Sequence, residues 1–259
     1  MNRATSPQEF RTSCRQGLFT GPSAGVADNF VQANLMIVPK DWAYDFLLFC
    51  QRNPKPCPII EVLDAGAFEP ASAKGADLRF DLPGYRLWRD GVLVEEVREI
   101  SNLWSPELVS FLIGCSFSFE TALQEEGIVL RHIEQHKNVA MYKTKRACQP
   151  AGRLHGPLVV SMRPIKSQDV ARAVEISGRF PEVHGAPVHI GDAKGLGIAD
   201  LLCPDYGDPV DIKDDELPVF WACGVTPQSV AVASGIPLCI THAPGKMFVT
   251  DRLIRPQLV

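Results

Sequence analysis

The sequence has no Cys-x-x-Cys pair, no apolar run long enough to cross a bilayer, no excess of positive charge, no internal repeat and no low-complexity tract. Each absence closes a class of function. The eight cysteines stand at 14, 50, 57, 115, 148, 203, 223 and 239, and the closest two have six residues between them. That spacing argues against a zinc ribbon and a thioredoxin-type redox pair, and leaves reduced thiols, most of them acting as small buried hydrophobes. No window approaches the roughly 18 apolar residues of a membrane span. Met1-Asn2-Arg3-Ala4-Thr5-Ser6-Pro7 is followed by no apolar signal segment, so a cytoplasmic location is expected. Lys and Arg total 26 against 30 Asp and Glu, a net charge of −4. That balance removes the compositional case for nucleic acid or an anionic membrane as partner. It leaves room for an acidic substrate held by a local cation.

What is present is an ordinary globular balance, 46% hydrophobic and 22% charged in 259 residues, enough for one large or two medium domains. The 20 glycines and 21 prolines are scattered as punctuation between short elements. Ser6-Pro7 reads as an N-cap and first helical residue. Trp42, Ala43, Phe46, Leu47 and Cys50 repeat at helical spacing over 39–50, and Ile59 to Leu63 reads as a buried strand. Asp90-Gly91 between Tyr85–Arg89 and Val92–Val97 is a two-residue hairpin, since both turn residues tolerate positive φ. Ser105-Pro106-Glu107 predicts a capped helix through Ile113, and Phe117 to Glu126 a second one stopped by Gly127. Strands are predicted at 128–133, 139–144, 158–162 and 188–190, with a helix over 168–179.

Two apolar runs close the pattern. Val219 to Cys223 and Leu238 to His242 flank a helix predicted over 227–233, with Thr226 as its N-cap. Continuous apolar strands joined through a helix suggest parallel pairing in a covered sheet. The expected fold is α/β. A three-layer unit built from 1–114 plus 196–259 carries an inserted, smaller two-layer α+β unit over 115–195.

In open α/β sheets, ligands bind beyond the carboxyl ends of strands. Three strand ends here carry polar groups: Asp64, Cys223 with Thr226, and Thr241 with His242. Gly114-Cys115-Ser116-Phe117-Ser118-Phe119-Glu120 places Cys115 and Ser116 at a helix start, where unpaired amides favour an anion and would lower a thiol pKa. The plain alternative is that Ser116 caps the helix and Cys115 is packed. His184, His189 and Asp192 fall within nine residues. Their spacing, broken by Gly and Pro, is not a standard ligand pattern, so no metal or other cofactor is assigned and substrate-binding or acid–base roles stand beside a metal. Arg153, Arg163 and Arg179 are each able to clamp a carboxylate. Gly195-Leu196-Gly197 lacks the third glycine of a dinucleotide fingerprint.

Several of these segments also carry a resemblance. Gln32-Ala33-Asn34-Leu35, the stretch from Phe46 to Pro58, Ile113 to Glu120, Gly156 to Pro164, His184 to Asp192, Pro218 to Gln228 and Ile240 to Gly245 resemble, in order, the blocks of the D-glutamate cyclase family. Leu154-His155 departs from that pattern and makes His155 a poor candidate for an essential role. The resemblance implies a hydro-lyase that closes D-glutamate to 5-oxo-D-proline with loss of water. It brings no catalytic assignment, so the site is chosen on physical grounds. Loss of water needs an acid for the departing oxygen and a base for the proton removed.

The expected catalytic residues are Cys115, His184, His242 and Cys223. The expected substrate contacts are Ser116, Ser118, Arg163, Asp64, Thr226, His189 and Asp192, with Arg163 as carboxylate clamp. The partner is a small acidic amino-acid-like substrate, and a homodimer is allowed for. A metal-dependent dehydratase of a hydroxy acid and a non-catalytic ligand-binding module stand as alternatives.

Overall fold

Residue Ser6 starts the first helix as its sequence requires. Its hydroxyl accepts from the Glu9 amide while the Glu9 carboxylate takes the Ser6 amide, closing a capping box over α1 (Pro7–Arg15). This is a computed structural model describing residues 5–256. Then follow β1 (Phe30–Pro39), α2 (Lys40–Arg52), β2 (Ile59–Val62), β3 (Tyr85–Arg89), β4 (Val92–Val97) and β5 (Leu108–Gly114). The middle holds α3 (Phe117–Glu125), α4 (Arg131–Glu134), β6 (Ala140–Ala147), β7 (Pro157–Lys166), α5 (Val170–Gly178) and β8 (His189–Ile190). The chain ends with β9 (Glu216–Ala222), α6 (Thr226–Ala233), β10 (Cys239–His242) and β11 (Phe248–Leu253).

The protein is a mixed α/β structure with two sheets. The larger runs β2-β5-β1-β10-β3-β4, with β11 also paired to β1, and the smaller runs β6-β7-β9-β8. Every strand pair is antiparallel. The parallel pairing expected for the last two apolar runs is therefore corrected: β9 and β10 lie in different sheets. Both runs are apolar throughout because each strand is buried on both faces, and such burial looks the same in either orientation. The smaller sheet also draws β9 from beyond residue 195, so the sheet boundary does not follow the expected segment boundary.

Strand β5 replaces the helix expected over 105–113. All seven of its residues are buried. Val109, Phe111 and Ile113 pack with Phe46 and Phe49 of α2, while Leu108 and Leu112 face Leu78 and Leu82. A strand covered on both sides shows no period-2 signal, so periodicity cannot separate it from a helix. The expected strand over 128–133 is instead a turn leading into α4. The hairpin is as expected, with Asp90 at φ 48 and Gly91 at φ 78.

Strand β1 went unpredicted because Gln32 and Asn34 interrupt its apolar run. Both are buried and satisfied: Gln32 accepts from the Ser23 hydroxyl, and the Asn34 amide donates to the carbonyls of Ile113 and Gly114. Gly224 sits so close to Asn34 that a Cβ there would lie 2.1 Å from Nδ2. This contact locks the turn after β9 in the smaller sheet against β1 in the larger one. Among the described residues no helix is long and apolar enough to cross a membrane.

Candidate active site

Two strand-to-helix turns, one from each sheet, meet at a shared hollow. The first is Cys115-Ser116 between β5 and α3, the second Cys223-Gly224-Val225 between β9 and α6. His242, the last residue of β10, completes the hollow together with Asn34, Asn138 and Gly245. The space is about 20 Å3, the size of one water or carboxyl oxygen. Among the described residues, no Lys, Arg, Asp or Glu side chain lines it.

Neither helix start is capped by a side chain: Ser116 and Val225 occupy the cap positions of α3 and α6 without a capping hydrogen bond. The amides of Ser116 and Gly224 also take no part in the backbone hydrogen bonds around them. Orphan amides and two helix dipoles therefore present partial positive charge to a pocket without an ionic group.

His242 is 1% exposed. Its Nδ1 accepts from the Leu35 amide at 3.2 Å, with Gln228 Nε2 at 3.5 Å. Nδ1 also lies 3.4 Å from the Leu35 carbonyl, so the proton sits on Nε2 when Nδ1 accepts from the amide and on Nδ1 when it donates to the carbonyl. Nε2 is buried and has no hydrogen-bond partner. Burial, opposed in part by the Leu35 carbonyl beside Nδ1, pulls the imidazole down to about 4. At neutral pH, His242 is thus an uncharged ring whose Nε2 is buried and free of partners among the described residues.

The two thiols correct the expectation of a lowered pKa. Burial pushes Cys115 up to about 12 and Cys223 up to about 11, although the Phe117 and Val225 amides beside their sulfurs pull the other way. Desolvation of a thiolate outweighs the helix end. Both are protonated, weakly polar walls rather than activated nucleophiles. Of the eight cysteines only Cys203 is exposed. Iodoacetamide at pH 8 should therefore modify one thiol per native chain, read by intact mass, and the other seven only after denaturation; rapid labelling of Cys115 or Cys223 would contradict this assignment.

Arg163 does not reach the hollow as a free clamp. It is fully buried and its guanidinium is consumed within the protein: Nε donates to Glu120 at 3.0 Å, NH1 to Ser161 at 3.1 Å and NH2 to Ser116 Oγ at 3.0 Å, with a further contact from NH2 to Glu120. Burial alone would raise the Glu120 carboxyl, but His132 and Arg163 reverse that and hold it at about 2. Arg163 thereby orients Ser116, which does line the hollow.

The remaining expected residues lie elsewhere. His184 is buried in a left-handed conformation at φ 85, with Nδ1 2.7 Å from the Lys55 carbonyl. Ser118 Oγ accepts the Gln32 amide, tying α3 to β1. Thr226 is the first residue of α6, not its cap, and its hydroxyl bonds both the amide and the carbonyl of Val159. Asp64 is exposed in the turn after β2. His189 Nε2 bonds the Asp192 carbonyl at 2.7 Å, and the Asp192 carboxylate caps a short turn by accepting from Lys194. His184 is not joined to them, and among the described residues no group of three or more His, Cys, Asp or Glu side chains is arranged to hold a metal ion.

Sequence reasoning missed a larger neighbour. A pocket of about 480 Å3 adjoins the hollow, sharing Phe117 and Asn138 with it. Glu120 and His132 are among its lining residues. Its volume suits a small metabolite.

Residues 109–251 match the D-glutamate cyclase family. That span contains both turns, His132 and His242. The chain belongs to this family. Relatives described as "Putative hydro-lyase" bear this out over nearly full length. One from Streptomyces avermitilis is 60% identical over 96% of this chain and 90% of its own. One from Stutzerimonas stutzeri is 59% identical over 96% and 94%, and one from Pseudomonas syringae pv. tomato is 61% identical over 94% and 91%. Among solved structures, a nitrogen repressor-like protein from Methanococcus jannaschii aligns over 96% of the chain at 9% identity and a TM-score of 0.38, below the level of a shared fold. For this D-glutamate cyclase family member, the family blocks around Cys115, Cys223 and His242 are the three segments that build the hollow.

Proposed function

We propose that the protein is a lyase that closes D-glutamate to 5-oxo-D-proline with loss of water. Family membership supports the reaction class. The observation that carries the reading is His242 Nε2, buried and unpartnered in a hollow that two uncapped helix starts also enter; in the tautomer that carries its proton there it is a donor.

In the reaction, the amine nitrogen attacks the γ-carboxyl carbon. The C–N bond forms, a C–O bond breaks, and two of the three ammonium protons leave with the oxygen as water. Charge accumulates on a carboxyl oxygen in the tetrahedral intermediate. Preorganised donors aimed at that oxygen are the largest single source of acceleration in acyl transfer. His242, with the Ser116 and Gly224 amides, supplies neutral donors of that kind. A neutral imidazole suits the task because its N–H polarises the oxygen without giving up a proton in the ground state. With thiols at about 12 and 11 and an imidazole at about 4, the hollow holds no base strong enough to strip a proton from carbon.

The test is incubation with D-glutamate and chiral chromatography for 5-oxo-D-proline. Turnover with D-glutamate and little with L-glutamate supports the reading. No 5-oxoproline, together with loss of water from a hydroxy dicarboxylate, would overturn it.

A further inference from the structure

The larger pocket holds a second reactive group that the hollow does not use. His132 is 3% exposed, yet it lines this space. Its Nε2 lies 3.2 Å from Glu120 Oε1, close enough for pairing but without a hydrogen bond in line. Glu120 is 4% exposed and is fixed from its other side by Arg163. Arg163 in turn holds Ser116 of the hollow. A histidine, a carboxylate, an arginine and a serine thus run without a break from the larger pocket to the smaller one.

The charges decide what this chain of groups is for. Glu120 and Arg163 cancel, and Lys137, whose ammonium donates to the Pro209 carbonyl, is outnumbered in the lining by Asp28 and Asp208, so the pocket presents carboxylate edges and an imidazole rather than a net cation. A carboxylate beside Nε2 favours the ring proton there and leaves Nδ1 as the basic nitrogen. That is the arrangement of a proton acceptor for a cationic donor, and a poor one for a substrate carboxylate.

Resting on the lactam-forming reading above, we propose that the larger pocket binds the substrate's primary ammonium group and that His132 is its proton acceptor, oriented by Glu120. His132 takes one ammonium proton, and the freed lone pair forms the bond to the γ-carbon. Nitrogen and departing oxygen then sit on the same carbon, so one imidazole serves both. It passes the first proton to the oxygen, takes the second from nitrogen, and passes that as well. Water leaves and the ring is neutral again.

Three measurements on the full chain test this. His132→Asn should lower kcat for 5-oxoproline by about 10²-fold or more per folded site, counted by titration of binding sites. Added imidazole should restore part of the rate to His132→Ala, which a purely structural role would not allow. By calorimetry, wild-type protein should bind D-glutamate at least about tenfold more tightly than glutarate, which lacks the amine, and His132→Asn should lose that preference. Wild-type turnover in His132→Asn overturns the proposal and leaves the proposed reaction standing. If the wild type makes no 5-oxoproline, the reaction fails instead, and the calorimetric preference decides the ammonium site alone. Should neither variant fold, equal wild-type binding of D-glutamate and glutarate overturns the assignment.

Discussion

Replacing His242 by alanine lowers kcat for lactam formation by about 10²–10³-fold, the usual effect of deleting one preorganised donor to a developing oxyanion. KM for D-glutamate should change much less. The donor meets the oxygen as charge develops, so its loss falls on the transition state rather than on binding. The deletion also strips Leu35 of a partner for its amide and Gln228 of a contact at Nδ1. Leaving a buried donor unpaired costs about 1–3 kcal/mol, so the melting temperature should fall as well. The split separates the two effects: a structural loss lowers the active fraction, which titration of binding sites counts, whereas loss of the donor lowers kcat per site. A folded His242→Ala protein with near wild-type kcat per site would remove His242 from the chemistry. Because Nε2 carries its proton only while Nδ1 accepts from Leu35, the tautomer is set by the backbone of β1 and not by a second ionisable side chain.

The legible part of this site is the part that local sequence places. A polar residue directly after a buried apolar run marks a strand end, and Cys223 and His242 carry that mark, while Cys115 stands out by the helix start that follows it. Which sheet each strand joins was not legible, because β5, β9 and β10 are covered on both faces and their apolar runs carry no orientation. Arg163 was visible as a candidate cation, but its neutralisation was not: Glu120 is 43 residues away, and pairing at that range is a property of the packed fold. His132 was hidden for a different reason. Ile128, Leu130 and His132 alternate as a strand would, all three buried, while the chain there turns into a single helical turn. Cysteine chemistry was misread in sign, since a helix start is a local feature and burial is not. The helix start is visible in the sequence; the larger cost of desolvating a thiolate arises only from packing.

Acid should unfold the protein through two histidines. His184 and His242 are both buried, and burial, partly offset by backbone contacts, brings each from 6.5 to about 4. A depressed folded pKa means that the unfolded chain binds more protons between these values. Stability is therefore complete above about pH 6.5 and is lost as pH falls toward about 4, with no further loss from these rings once both states are protonated. Each ring contributes about 3 kcal/mol over the window, so the pair approaches about 6 kcal/mol. That is comparable with the whole stability of an ordinary domain. The Glu120 carboxyl, held at about 2 against a usual 4.5, adds a loss of the same sign, but only below about pH 4.5. Urea titrations from pH 8 to 5 should show a plateau above pH 7, then a decline steepening toward about 2–3 kcal/mol per pH unit near pH 5. His184→Asn should halve that slope without reversing it: asparagine tolerates the left-handed backbone at φ 85, and it removes one of the two titrating rings. A free energy of unfolding that stays flat between pH 7 and 5 would mean that these rings are already accessible to protons in the folded state, and the same result would remove the case for His242 as a sheltered, neutral donor.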